Sequence, residues 1–370
     1  MKKLLFISSE FPPGPGGIGK HALSFLEAAA DLEDISIRAL VGQDYASIKE
    51  VQLFNNRLPF HVETFVNRSY KGYKLLRAIQ VIQYIISYRP KRVFLSGKSS
   101  LWFAIIIRLL RPHQRISAVV HGSEITKAGR VKNFLNTISF FVLNDIYPVS
   151  TFTRGLLPRF CLKIKNVVII ENGLPDSFFN SAVEHDRNRS KEKSSRYPRL
   201  LTVGNVTARK GQHRLIKALP SLIDKFPNVH YEIVGLETEK NKLQALALQL
   251  GVEQRVDFKG VLSEKDLYSS YRNSDLFVML SENQNNGDVE GFGIAILEAN
   301  YFGLPALGAK YCGIEDAVSS ENGILVDGNN FSDIVEGVNY ILQNYSDLSS
   351  SSRKWAKTFR WTEIIKKFNL

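Results

Sequence analysis

The chain has 370 residues; at ~150 residues per domain that length predicts two to three domains and excludes a peptide or a disulfide scaffold. With 44% hydrophobic, 11% aromatic and 23% charged residues it is not a disordered chain, and 48 Lys+Arg against 36 Asp+Glu leave a net charge of +12. That excess is one-sided: residues 1–180 hold 24 basic and 12 acidic side chains, residues 181–370 hold 24 of each, so the first half is expected to meet something anionic.

Cys161 and Cys312 stand far apart without a C-x-x-C partner, which indicates neither a disulfide framework nor a thiolate zinc site and fits a reducing cytoplasm. Leu4-Leu5-Phe6-Ile7 is too short for a signal-peptide core, and the apolar run 101–107 is broken by Arg108 and Arg111. A soluble or peripherally membrane-bound protein is expected.

In chain order, apolar runs at 4–8, 35–41, 92–95, 116–121, 146–150 and 166–170 read as the strands of a first sheet. Runs at 199–204, 229–235, 256–260, 276–280, 305–309 and 323–327 read as those of a second. Amphipathic stretches between them predict parallel sheets covered by helices, an α/β class with two doubly wound, Rossmann-like domains. Residues 184–199 contain no aliphatic side chain and read as a linker. The expected division is 1–183, the linker 184–199, 200–350, and a C-terminal helix over 351–370. Ligands of such sheets bind beyond the carboxyl ends of the strands.

The chemistry-bearing motifs sit at those ends. Gly14-Pro15-Gly16-Gly17-Ile18-Gly19 matches G-x-G-x-x-G formally, but Ser8 to Pro13 separate it from the strand, unlike a dinucleotide fingerprint; its backbone N–H groups suit an anion or a sugar hydroxyl. His121 and Glu124 follow another strand end. Asn205 to Gly211 carry the pair Arg209-Lys210, able to neutralise a diphosphate. In the stretch from Gly287 to Glu298, Gly291-Phe292-Gly293-Ile294 opens an apolar helix in which Glu298 requires a hydrogen-bonding partner, either a ribose diol or a buried Arg. There is no D-x-D, H-E-x-x-H or P-loop motif, so divalent-metal catalysis and a P-loop NTPase are unsupported.

The segments FISSEFPPGPGGIGKHALSFL, VVHGSEI, PVSTFTRGLL, VVIIENGLPDSFF, LLTVGNVTARKGQHRLIKALPSL and GDVEGFGIAILEANYFGLPALG resemble, in this order, the retaining GT-B glycosyltransferases that use nucleotide sugars. The likeness is to the branch with phosphatidylinositol mannosyltransferases and capsule or lipopolysaccharide sugar transferases. It implies a GT-B fold with the two domains facing each other across a cleft, and a hexose moved from a UDP- or GDP-sugar to a lipid-linked or surface-glycan acceptor, without a metal or other cofactor. It further implies that Gly16 and Gly17 line the diphosphate-sugar region, that His121 touches the transferred sugar, and that Lys210 binds the diphosphate. Glu290 would hold sugar hydroxyls beside the backbone of Gly291, Phe292, Gly293 and Ile294; Glu298 would hold the ribose and the backbone at Val261 the base. Asn205 stands where the family usually has an Arg, a role that Arg209 can take over.

Residues 57–115 carry twelve Lys+Arg against the single acid Glu63, interleaved with aromatics. Leu75, Ile79, Ile82 and Ile86 form a helical stripe that an ordinary outer helix would pack on its sheet, with Lys74, Arg77, Gln80 and Gln83 on another face. The basic face is expected to lie on anionic lipid, at the inner face of the cell membrane; no nucleic-acid recognition motif is present. Two alternatives compete with transfer: a dinucleotide-dependent oxidoreductase using the 14–19 loop with Asp44 as the acidic residue, and a non-catalytic sugar-nucleotide-binding relative.

Overall fold

Two all-parallel sheets organise the chain in a computed structural model that describes residues 2–14, 16–126, 129–185 and 196–370. The first sheet comprises β1 (Lys2–Ser8), β2 (Ile35–Val41), β3 (His61–Thr64), β4 (Arg92–Ser96), β5 (Arg115–Val120), β6 (Asp145–Pro148) and β7 (Asn166–Val167), in the order β3-β2-β1-β4-β5-β6-β7. The second comprises β8 (Arg199–Val203), β9 (His230–Val234), β10 (Val256–Gly260), β11 (Leu276–Met279), β12 (Ala306–Ala309) and β13 (Gly323–Val326), in the order β10-β9-β8-β11-β12-β13. Helices cover the strands, so central strands such as β4 and β11 are buried along their whole length. In each sheet the order reverses once, between β1 and β4 and between β8 and β11. These are the switch points beyond which doubly wound sheets bind ligands.

The chain divides into two units, Met1–Pro175 with Trp361–Leu370, and Asp176–Arg360. Both boundaries differ from the expected 183 and 351. Phe178 packs edge-on against Tyr268 and Tyr301 at 5.6 and 5.4 Å, which commits the Asp176–His185 helix to the second unit. The Tyr345–Thr358 helix also stays there, placing Arg353 against the Tyr301 carbonyl. The return to the first unit begins at Trp361, whose indole donates to the Gly173 carbonyl at 3.0 Å and stacks edge-on against His21 at 4.9 Å. Of the expected linker 184–199, residues 186–195 lie outside the described residues; Tyr197 already bridges to Asn228 and Arg199 opens β8.

The apolar stripe of the Tyr73–Tyr88 helix faces outward, against the expectation that it packs on the sheet. Leu75, Ile79 and Ile86 are exposed, whereas Arg77, Val81, Tyr84, Ile85 and Tyr88 form the buried face. The physical reason is Arg77, predicted on an outer face. Its guanidinium reaches Asp44 at 2.6 Å and the Val66 carbonyl at 2.8 Å, which turns the helix so that 77, 81, 84 and 88 point inward. Among the described residues no helix is long and apolar enough to cross a membrane.

Candidate active site

The second unit builds its site on the β8/β11 switch point. β8 ends in Gly204 (φ +153°), and a short turn over Ala208–Lys210 leads through Gly211 into the Gln212–Lys225 helix. Gly211 is required twice over: φ is +73°, and a Cβ would lie 1.8 Å from the Leu280 carbonyl oxygen beyond β11. This close approach holds Arg209 and Lys210 against the loop after β11. The Lys210 ammonium meets Glu290 Oε2 at 2.8 Å, Arg209 Nη1 donates to the same oxygen, and Arg209 Nε donates to Asp288 at 3.1 Å. Burial alone would push the Glu290 carboxyl up, but the two cations outweigh it and hold it below its ordinary value. Glu290 is therefore an anion near neutral pH, and Arg209 and Lys210 are held by carboxylates that a diphosphate could replace.

The backbone of Gly291 to Gly293 continues from Glu290 to the start of the Ile294–Tyr301 helix, with Gly293 in the left-handed region at φ +87°. Phe292 is buried and packs near Phe359. Gly313 closes the loop from outside, since a Cβ there would sit 2.0 Å from the Glu290 carbonyl oxygen. On the same helix Glu298 is 7% exposed, and its Oε2 accepts from the Tyr271 hydroxyl at 2.7 Å. Tyr271 is thus one protein partner of this buried carboxylate. Val261 is exposed just after β10, and the Asn205 carbonyl accepts from Gln212 Nε2 at 3.1 Å. Arg209, Lys210 and Glu290 are thus in direct contact, and Val261 lies on the loop after β10.

The first unit builds on the β1/β4 switch point. Gly16 (φ +137°) precedes the Gly17–Ala30 helix, and a Cβ on Gly16 would lie 2.9 Å from Glu10 Oε2, while one on Gly17 would meet only open space. His121, at the end of β5, shares a 3.1 Å hydrogen bond between Nε2 and the Ser96 hydroxyl at the end of β4. Burial drives its pKa down to about 3, so the ring is neutral at pH 7. Its backbone N–H donates to Glu124 Oε2 at 2.9 Å, and Asn136 Nδ2 donates to the Glu124 carbonyl at 2.8 Å. His21, from the helix that Gly17 opens, packs edge-on against His121 at 4.9 Å. Ser96, His21, Tyr271 and Asp288 were not singled out from sequence, because each lies in an ordinary strand, helix or loop and acquires its role only through a non-local neighbour.

Asp44, the acidic residue required by the dinucleotide alternative, is already bound by Arg68 at 2.9 Å and Arg77 at 2.6 Å. Residues 184–359 match the family model of glycosyl transferases group 1. The match lies within the second unit and, with the relatives that follow, supports reading the chain as a glycosyltransferase. Over 384 aligned residues this transferase is 25% identical to the GDP-mannose-dependent alpha-(1-6)-phosphatidylinositol monomannoside mannosyltransferase of Mycolicibacterium smegmatis, covering 95% of this chain and 93% of the relative. It is 25% identical over 351 residues to a GDP-mannose-dependent monoacylated alpha-(1-6)-phosphatidylinositol monomannoside mannosyltransferase of Corynebacterium glutamicum, covering 90% and 87%. In fold the transferase is similar to a sucrose-phosphate synthase of Thermosynechococcus elongatus, with a TM-score of 0.77, 17% identity and 99% and 97% of the two chains covered. HepE of Anabaena, solved with UDP and glucose, gives 0.75 at 18% identity, covering 99% and 98%. The fold of the transferase is GT-B, with two Rossmann-like parallel sheets, and the oxidoreductase alternative is not favoured.

Proposed function

We propose that the protein is a retaining hexosyltransferase that moves a sugar from a UDP- or GDP-sugar to a lipid-linked or surface-glycan acceptor, without a metal ion. The observation that carries this reading is the convergence of Arg209 and Lys210 on Glu290 at the amino end of the Ile294–Tyr301 helix. A diphosphate leaving group gains charge as the bond to the anomeric carbon breaks. Two cations and a helix amino end, fixed beforehand, stabilise that charge where a metal otherwise would. Glu290 then binds sugar hydroxyls, with the backbone from Gly291 to Ile294 beside it, and Glu298 with Tyr271 offers the ribose a buried acceptor. In this reading the backbone at Val261 contacts the base. In the first unit, the backbone of Gly16 and Gly17 suits a phosphate or sugar hydroxyl of the donor, and neutral His121, hydrogen-bonded to Ser96, suits a hydroxyl of the transferred sugar.

In this reading the departing phosphate accepts the acceptor hydroxyl's proton on the face it leaves, which preserves configuration. Asn205 removes one expected cation, and the position of Arg209 beside Lys210 supports a working diphosphate grip. The names of the mannosyltransferase relatives support a lipid-linked acceptor, and the exposed stripe with the basic excess supports a peripheral position on the inner membrane face.

The test is a screen of UDP- and GDP-hexoses with lipid extract, read by release of nucleoside diphosphate and by the anomeric configuration of the product. Release that survives EDTA, gives a product of retained configuration and falls about 10²–10³-fold in Lys210→Ala is expected. An inverted product, or full turnover in Lys210→Ala, overturns the reading.

A further inference from the structure

At the end of the first sheet opposite His121, the amino ends of β1, β4 and β5 bring Lys2, Lys3, Lys91, Arg92 and Arg115 around a cavity of about 240 Å³. Arg92 is 9% exposed, yet its guanidinium makes no hydrogen bond to any described residue. Its nearest carboxylate, Asp145, stands 3.9 Å away and is already engaged: Arg115 binds both its oxygens at 3.0 Å, and Ser117 and Asn166 donate to it at 2.9 and 3.0 Å. Lys91 has no ion pair among the described residues, Lys2 Nζ donates to a Leu370 backbone oxygen at 3.2 Å, and Lys3 lies over the Tyr88 ring at 5.4 Å.

Five cations thus share one side-chain carboxylate, Asp145, and a Leu370 backbone oxygen. A buried guanidinium without an acceptor is costly, because its desolvation is not offset by hydrogen bonds. We propose that this cavity is a binding site for a phosphate or phosphomonoester group. A dianion matches the local charge, and its several oxygens suit the Arg92 fork with Lys91 and Lys2 at the rim. The site is separate from the transfer site: β4 runs from Arg92 here to Ser96 beside His121, about 13 Å of strand. It does not rest on the proposed transfer reaction.

Thermal unfolding in inorganic phosphate, against sodium chloride of equal ionic strength, tests the assignment. The Lys210→Ala protein serves as background, so that phosphate contacts of the second unit do not contribute. A saturable rise in melting temperature is expected, with roughly tenfold weaker phosphate affinity once the exposed pair Lys2→Ala and Lys91→Ala is added. Phosphate no better than chloride, or an affinity unchanged by the added pair, overturns the site. Vesicles containing phosphatidic acid, set beside glycerol phosphate, separate the sources. Vesicle binding lost with the pair assigns a lipid phosphate, and binding kept while the glycerol phosphate response is lost assigns a soluble one.

Discussion

Glu124 is 1% exposed and pinned by backbone, with the His121 N–H on its carboxylate. Burial raises its pKa to about 7, while the backbone N–H groups pull the other way. A carboxyl whose folded value is raised stabilises most below its unfolded value of 4.5, and that contribution is lost as pH rises through about 7. His121, depressed by burial, has the opposite sign: its contribution is present above its unfolded value of 6.5 and is lost as pH falls. Comparing Glu124→Gln with the parent protein isolates the first effect. Relative to the parent, the Gln variant is expected to gain melting temperature between pH 5 and pH 8; a constant difference between the two proteins across that range would contradict the assignment. At this scale the sequence was partly legible. The pairing of Arg209 and Lys210 with one purpose follows from adjacency in a strand-to-helix loop, and the need of Glu298 for a partner follows from its apolar surroundings. The identity of that partner, Tyr271, does not, because nothing local relates positions 27 apart.

Among elements, the helix Tyr73–Tyr88 shows how one side chain overrides a pattern. Periodicity detects a stripe but not which way it faces, and the buried Arg77–Asp44 pair decides the direction. The result is an exposed row of Leu75, Ile79 and Ile86 beside Lys71 and Lys74, a combination suited to an anionic lipid surface. Each lysine near such a surface contributes about 1 kcal/mol. The Lys71→Ala/Lys74→Ala protein is therefore expected to bind anionic vesicles roughly 30-fold more weakly at low salt, with its melting temperature unchanged. Equal sedimentation of the two proteins with vesicles would remove the proposed membrane role of this face. β3 escaped the sequence reading for a related reason. His61-Val62-Glu63-Thr64 is an edge strand with one aliphatic residue, so its place is dictated by pairing with β2 rather than by its own apolar content.

For the whole molecule, the two parallel sheets were legible because buried parallel strands read as short apolar runs, whereas the unit boundaries were not. Those boundaries depend on aromatic contacts such as Phe178 with Tyr301 and on the return of Trp361 to His21 and Phe25. Trp361 is 2% exposed, and Phe368 packs at 4.9 Å from both Phe25 and Tyr147. Removing such an indole costs about 3–5 kcal/mol. Trp361→Ala is expected to unfold the first unit at a lower temperature while the second keeps its transition, and a single unshifted transition in calorimetry would count against this division.

That return has a consequence for synthesis. The first unit is made of residues on both sides of the second, so the face formed by Phe25, Phe94 and Tyr147 waits for Phe368 while all of Asp176–Arg360 is translated. At about 5–20 residues per second this is a delay of roughly 10–40 s, during which the nascent first unit shows an aromatic surface to the cell. The order of translation thus lets the second unit fold before the first is finished, and makes Trp361–Leu370 the segment that covers this aromatic surface.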